Sequence, residues 1–197
     1  LANPDNPTGT YFPKSEFDAF MAQVPERVLV LLDEAYFEYA CHLSDYPDSM
    51  YYRYDNVITL RTFSKAHGLA GFRVGYGFAH EDLIENLNKV KLPFEPSWPA
   101  QVAATAALDD SAHIENTITS CREGMESMEM VFKELELDYI PSAANFLTLV
   151  FNNEEEAASF SDTMLHNGII LRHLRGWGYP DCIRVTIGTE EENRFFL

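Results

Sequence analysis

Lys65 stands in the run Thr62-Phe-Ser-Lys-Ala-His-Gly-Leu-Ala-Gly-Phe-Arg73-Val-Gly, after two hydroxyl residues and before a glycine-broken turn and an arginine. The stretch just before it, Val57-Ile-Thr-Leu-Arg61, is rich in β-branched residues and predicts a strand. The lysine is therefore expected on a loop at the mouth of a sheet. Hydroxyls, backbone N–H groups and a guanidinium together make an anion site suited to phosphate. An amine beside a bound phosphate points to a ligand that carries both a phosphate and an aldehyde. Most lysines after a strand are merely solvated, so Lys65 gains weight only from what accompanies it.

Two further segments accompany it. Asn3-Pro-Asp-Asn-Pro-Thr-Gly-Thr10 combines two Asn/Asp-Pro steps with a Thr-Gly step, the composition of a rigid turn-rich loop. Proline restricts the backbone, so the Asn6 amide is presented in one orientation; standing alone, the segment would read as an ordinary surface loop. Val28-Leu-Val-Leu-Leu-Asp-Glu-Ala-Tyr-Phe-Glu-Tyr39 opens with an apolar run expected to form a fully buried strand of the parallel-sheet type. Asp33 and Glu34 follow at its carboxyl end, where open α/β sheets bind their ligands. By itself, Asp33 serves equally as a helix cap or as a ligand's partner. Tyr36 adds a phenol to the same pocket or packs in the core.

In order and spacing, Asn-Pro-Thr-Gly, Asp-Glu-Ala-Tyr and Ser-Lys-x-x-Gly-Leu-Ala-Gly-x-Arg-x-Gly resemble the fold-type I pyridoxal-phosphate aminotransferases, and among them the histidinol-phosphate aminotransferase branch. The late segment Cys182-Ile-Arg-Val-Thr-Ile-Gly-Thr-Glu-Glu-Glu-Asn193 is similar to that branch as well. The resemblance implies a role for each matching residue. Lys65 would bond the cofactor aldehyde and, once an amino-acid substrate frees it, carry the proton that the transfer moves. Asp33 would pair with the pyridine nitrogen and keep it charged. Asn6 and Tyr36 would hydrogen-bond the ring's phenolic oxygen, and Thr62, Ser64 and Arg73 would hold the phosphate. Arg184 would grip a substrate carboxylate with its planar fork. Arg172, in Gly168-Ile-Ile-Leu-Arg-His-Leu-Arg175, would face the distal phosphate of the substrate or simply stand exposed at a strand end. Glu34, Tyr39 and His67 are expected to support the site or the fold; Arg175 and His173 carry no assignment.

Composition is compatible with this reading. Hydrophobic residues are 46% and charged residues 23% of 197, an ordinary globular balance able to bury a core in one or two domains. No apolar run is long enough to span a bilayer, and no charged-then-apolar leader of the secretory kind opens the sequence. A formal net charge of −17 would repel a phosphate backbone, so nucleic acid is not an expected partner, and an anionic substrate needs local arginines. Cys41, Cys121 and Cys182 lie far apart in odd number, which fits a reducing cytoplasm rather than a disulfide framework. No metal-binding spacing of histidines or acids is present, so no metal is expected.

The elements that must position these residues alternate between helix and strand. Helices are expected over 15–23 (capped by Ser15, with Phe17, Phe20 and Met21 inward), 80–91, 100–108, 111–135 and 154–167, the last opening after Asn152 or Asn153. Strands are expected over 28–32, 57–61, 73–78, 146–151, 169–171 and 183–187. A final helix begins with the capping box Thr189-x-x-Glu192. Three prolines in 92–99 place a hinge there or shortly after. The fold class is α/β. The resemblance sharpens it: residues 1–95 would be the carboxyl-terminal half of a large, mostly parallel cofactor-binding domain. Residues 96–197 would be an interdomain helix and a small α+β domain. It further implies a homodimer, amino-acid and 2-oxo-acid substrates, and an amino-terminal half outside this sequence. The chain is therefore expected to be a fragment, inactive alone, of an aminotransferase acting on histidinol phosphate and 2-oxoglutarate. A decarboxylase of the threonine-phosphate type shares nearly all these motifs and remains the alternative.

Overall fold

The computed structural model describes residues 1–51 and 54–197. The chain packs as two compact units, Leu1–Pro4 with Tyr11–Asn116, and Asp5–Thr10 with Thr117–Leu197.

The first unit contains α1 (Lys14–Met21), β1 (Val30–Asp33), α2 (Phe37–Ala40), β2 (Val57–Thr62), β3 (Gly75–Phe78), α3 (Glu81–Val90) and α4 (Trp98–Leu108). Its sheet runs β1-β2-β3 and is mixed: β1 pairs parallel with β2 and β2 antiparallel with β3, while Ala2 adds a parallel bridge to Asp33. Phe17 and Met21 of α1 bury against Val30, Leu32 and Val57; elsewhere in the unit, Phe63 and Val74 pack with Ala100 and Ala104 of α4.

Local expectations needed correction here. Helix α1 is preceded by Pro13, which has the extended backbone of a cap but offers no side-chain hydrogen bond, and Ser15 lies inside the helix. Packing against the sheet buries Phe17 and Met21, and Phe20, at the edge of that stripe, is 41% exposed. Strand β1 is not buried on both sides: Val30 and Leu32 point inward, and Leu31 is 55% exposed. Only one face of it is covered among the described residues, so it alternates like any half-buried strand. Strand β3 begins at Gly75, because Arg73 has turned into the left-handed region (φ 53°) after the 3₁₀ turn Ala70–Phe72.

The second unit holds most of α5 (Ser111–Glu134), then β4 (Asp138–Ile140), β5 (Phe146–Val150), α6 (Glu154–His166), β6 (Arg172–His173), β7 (Cys182–Thr186) and α7 (Glu190–Phe196). Its sheet, β4-β5-β7-β6, is antiparallel throughout. Met128 and Phe132 of α5 close over Leu147, Leu149, Val185 and Ile187. Strand β4 carries too short an apolar signal to be read from sequence. Strand β6 forms at 172–173 instead of 169–171, because pairing with Ile183 and Arg184 of β7 decides its position, not the apolar run before it. Two caps appear where expected. The Asn153 side chain accepts from the Glu156 N–H, and Thr189 with Glu192 makes both bonds of the capping box.

Candidate functional site

Strands β1 and β2 end side by side, with Asp33 opposite Leu60 and the Glu34 N–H donating to the Leu60 carbonyl at 2.8 Å. The chain leaves β2 at Thr62 and turns through Ser64 and Lys65. The Thr62 hydroxyl accepts from the Ser64 N–H at 3.1 Å, which keeps its own proton for another acceptor. The Gly68 N–H then closes the turn onto the Lys65 carbonyl at 2.9 Å. Gly68 takes φ 71°, a conformation that a side chain would strain.

These turns border an open cavity of about 410 Å³ lined by Asp33, Ala35, Thr62, Ser64, Lys65 and Arg73, together with Leu60, Arg61 and Ala70. Asp33 and Lys65, 32 positions apart, thus share one space, and both are exposed to it. One Asp33 oxygen accepts from the Ala35 N–H at 3.0 Å, so the carboxylate also braces its own turn. Arg73 is held over the cavity by its left-handed backbone, a placement that costs about 1 kcal/mol in a residue other than glycine. Its Nη1 donates to the Ala70 carbonyl at 2.8 Å. Tyr36 is buried and does not line the cavity; the Lys65 ammonium lies 5.4 Å from its ring centroid.

Behind the cavity lies a set of buried charges that the sequence signalled only in part. Arg61 donates through Nε to Glu34 Oε2 at 2.8 Å and through Nη2 to Asp48 at 3.0 Å. Burial pushes the Glu34 carboxyl up, and the Arg61 charge pulls it back only in part. Four residues on, Glu38 lies 3.5 Å from His67 Nε2. Burial, aided by the charge of nearby His113, holds His67 below the usual imidazole range, and burial raises Glu38. Arg61 escaped the sequence reading. The available signal was a lone arginine at the end of the β-branched run 57–61, which must find a counter-ion once buried.

The other three candidate residues belong to the second unit. Asn6 sits in the turn of residues 5–10, which Thr148 anchors by donating to the Pro7 carbonyl at 2.7 Å. Its side-chain oxygen accepts a short hydrogen bond from Arg184 Nη1. Arg184 also lies over the Phe146 ring, and its Nε is buried without a hydrogen-bond partner among the described residues. Arg172 is directly opposite Arg184 in the β6–β7 pairing, and both line a second cavity of about 810 Å³ with Thr186, Gly188 and Asn193. Arg172 is exposed, with its guanidinium 5.9 Å from the Trp177 ring. Arg175 pairs instead with Glu154 at 3.0 Å, and a His173 ring nitrogen lies 2.6 Å from the Pro180 carbonyl. Among the described residues no group of three or more His, Cys, Asp or Glu could hold a metal ion, and no helix is long and apolar enough to cross a membrane.

An amine, a carboxylate and a hydroxyl–guanidinium cradle at the carboxyl ends of two parallel strands define a class. The chain belongs to the aminotransferase class I and II family, whose model matches residues 1–197. It is 45% identical to histidinol-phosphate aminotransferase 1 of Nitrosococcus oceani over 199 residues, covering all of this chain and 53% of that protein. Its identity to histidinol-phosphate aminotransferase 2 of Carboxydothermus hydrogenoformans is also 45%, covering 100% of this chain and 54% of the relative. The chain therefore spans about half the length of the curated relatives it matches. The fold is α/β. It is similar to the crystal structure of histidinol-phosphate aminotransferase from Sinorhizobium meliloti in complex with pyridoxal-5′-phosphate, at a TM-score of 0.91 and 31% identity, over 100% of this chain and 54% of that one.

Proposed function

We propose that this chain forms part of a pyridoxal-phosphate-dependent aminotransferase that moves an amino group between histidinol phosphate and 2-oxoglutarate. The observation that carries the reading is the single cavity into which Asp33, Thr62, Ser64, Lys65 and Arg73 all open. Its volume of about 410 Å³ lies in the range of small-molecule sites. Its donor set fits the cofactor: two hydroxyls and a guanidinium for a phosphate, an amine for an aldehyde, a carboxylate for a protonated ring nitrogen. When bound, the cofactor supplies an electron sink for the bonds to the substrate α-carbon.

The residues do the rest. Thr62, Ser64 and Arg73 would neutralise and orient the phosphate in a chain whose overall charge would otherwise repel it. Asp33 would keep a proton on the ring nitrogen by pairing with it. Lys65 would hold the cofactor by its amine and, once freed by substrate, would carry the proton between the substrate α-carbon and the cofactor carbon that bore the aldehyde. Asn6 is assigned to the ring's phenolic oxygen; Tyr36, buried behind the cavity wall with its ring 5.4 Å from the Lys65 amine, would reach that oxygen only by turning its phenol towards the cavity. Arg184, with a buried donor to spare, is assigned to the carboxylate of the amino donor, and Arg172 to the phosphate end of the substrate. Residues 1–95 are assigned to the cofactor-binding domain, and residues 96–197 to an interdomain helix and a small domain. The protein is assigned to a homodimer in a reducing cytoplasm.

The test uses the protein expressed from its whole coding sequence. Titration with pyridoxal phosphate is expected to produce a near-visible absorption band, and borohydride to fix the cofactor mass on the peptide containing Lys65. Histidinol phosphate with 2-oxoglutarate is then expected to yield glutamate. Carbon dioxide release from a phosphorylated amino acid, without glutamate, would mark a decarboxylase instead. A colourless protein with no label on Lys65 would overturn the reading.

A further inference from the structure

Two buried charged side chains, Arg61 in β2 and Glu34 just after β1, call for a physical reason. The Arg61 side chain is 4% exposed and that of Glu34 0%. The guanidinium bonds to Glu34 and Asp48 and stacks 3.3 Å from the Phe37 ring centroid, so it is committed to protein partners and is not aimed at a ligand. A buried ion pair is seldom more stable than apolar residues of the same volume, and its geometric demand is its better attested use. What this pair joins is informative. Glu34 directly follows Asp33 at the end of β1, and Arg61 directly precedes Thr62 at the end of β2. The segment that begins at Asp33 also reaches the far side of Lys65, where Glu38 lies 3.5 Å from His67. A His113 ring nitrogen lies 3.1 Å from the Ala66 carbonyl in the same turn. Asp33 and Lys65 are themselves exposed, so their separation is set from behind, by residues 34–38 gripping the strand before Lys65 and the turn after it.

We propose that Arg61 is a positioning residue: bonded to Glu34 and Asp48 from within, it holds Asp33 and Lys65 at the two sides of one cavity and thereby sets cofactor affinity and the ionisation of the bound cofactor. The proposal rests on the functional reading above. Lysine at position 61 would keep the charge but lose the fork that reaches Glu34 and Asp48 together. Methionine at 61 with glutamine at 34 would remove both charges while keeping most of the volume.

The experiment compares the protein from its whole coding sequence with Arg61→Lys and with the double variant Glu34→Gln/Arg61→Met. It measures the unfolding midpoint of the cofactor-free protein, the Kd for pyridoxal phosphate, the pH midpoint of the bound absorption band, and kcat and KM. The double variant is expected to unfold near the wild-type midpoint and yet bind the cofactor about tenfold more weakly, about 1.4 kcal/mol, with a displaced pH midpoint. Arg61→Lys is expected to show the same displacement and a lower kcat, with KM for the amino donor within about twofold. A double variant with wild-type affinity and wild-type pH midpoint would reduce the pair to a fold-holding role and overturn the proposal. Should the double variant fail to fold, Arg61→Lys with those two values unchanged overturns it equally. Failure of the wild-type protein to take up the cofactor would bring down the functional reading itself, an outcome that cannot be confused with either.

Discussion

In the second unit, β5 and β7 bury Leu147, Leu149 and Val185 beneath Met128 and Phe132 of α5, whereas in the first unit the buried places at the ends of β1 and β2 are taken by Glu34 and Arg61. Apolar contact is non-directional and roughly proportional to area, so such a core tolerates small shifts. A buried ion pair is directional, and its desolvation is offset only when its geometry holds. The directional device stands where Asp33 and Lys65 must keep a spacing; the non-directional one stands where a sheet must simply stay closed. Stability and chemistry are thus expected to respond to different substitutions in the two units.

The largest effect is expected from Lys65→Ala, which removes an exposed amine and no packing. Turnover should fall about 10²–10⁴-fold in steady-state assays, while cofactor is retained in part and the unfolding midpoint stays within experimental error. A large drop in midpoint would break the separation of roles. Phe132→Ala should do the converse. Denaturant unfolding is expected to show a loss of about 3–5 kcal/mol, since a side chain only 2% exposed leaves a cavity among Leu149, Val185 and their neighbours. Thr189→Ala should cost about 1 kcal/mol by deleting the capping box of α7, and Thr189→Ser should recover most of it.

The smallest effect sharpens the comparison by its sign. The pKa of His67 is lowered in the folded protein, so between that value and about 6.5 the unfolded chain binds more protons. Its contribution therefore makes stability fall on acidification through that window. Glu34 and Glu38, whose pKa values are raised, act in the opposite direction above the ordinary carboxylate range. Comparing wild type with His67→Gln isolates the histidine. Between pH 7.5 and 5.5 the wild type should lose more stability than the variant, as followed by thermal unfolding. Equal losses would show that His67 is not buried as a neutral imidazole.

Much was legible in the residues alone because it is decided within a few positions. The Asn153 and Thr189 caps depend on a side chain and an N–H three residues away, and β2 follows from a short β-branched run. The loop carrying Lys65 and the strand-end carboxylate of Asp33 were readable from types and spacing in the same way. Tertiary structure decided whatever depends on a partner distant in sequence. Register with β7 moved β6 to Arg172 and set that residue opposite Arg184. The packing of α1 chose Phe17 and Met21 over Phe20, and the covering of one face only left Leu31 exposed on β1. Arg61 found Glu34 across 27 positions, an interaction that no local pattern encodes because it exists only once two strands lie side by side. Capping and periodicity are short-range properties of the chain, whereas ion pairing, register and burial are properties of its neighbours in space.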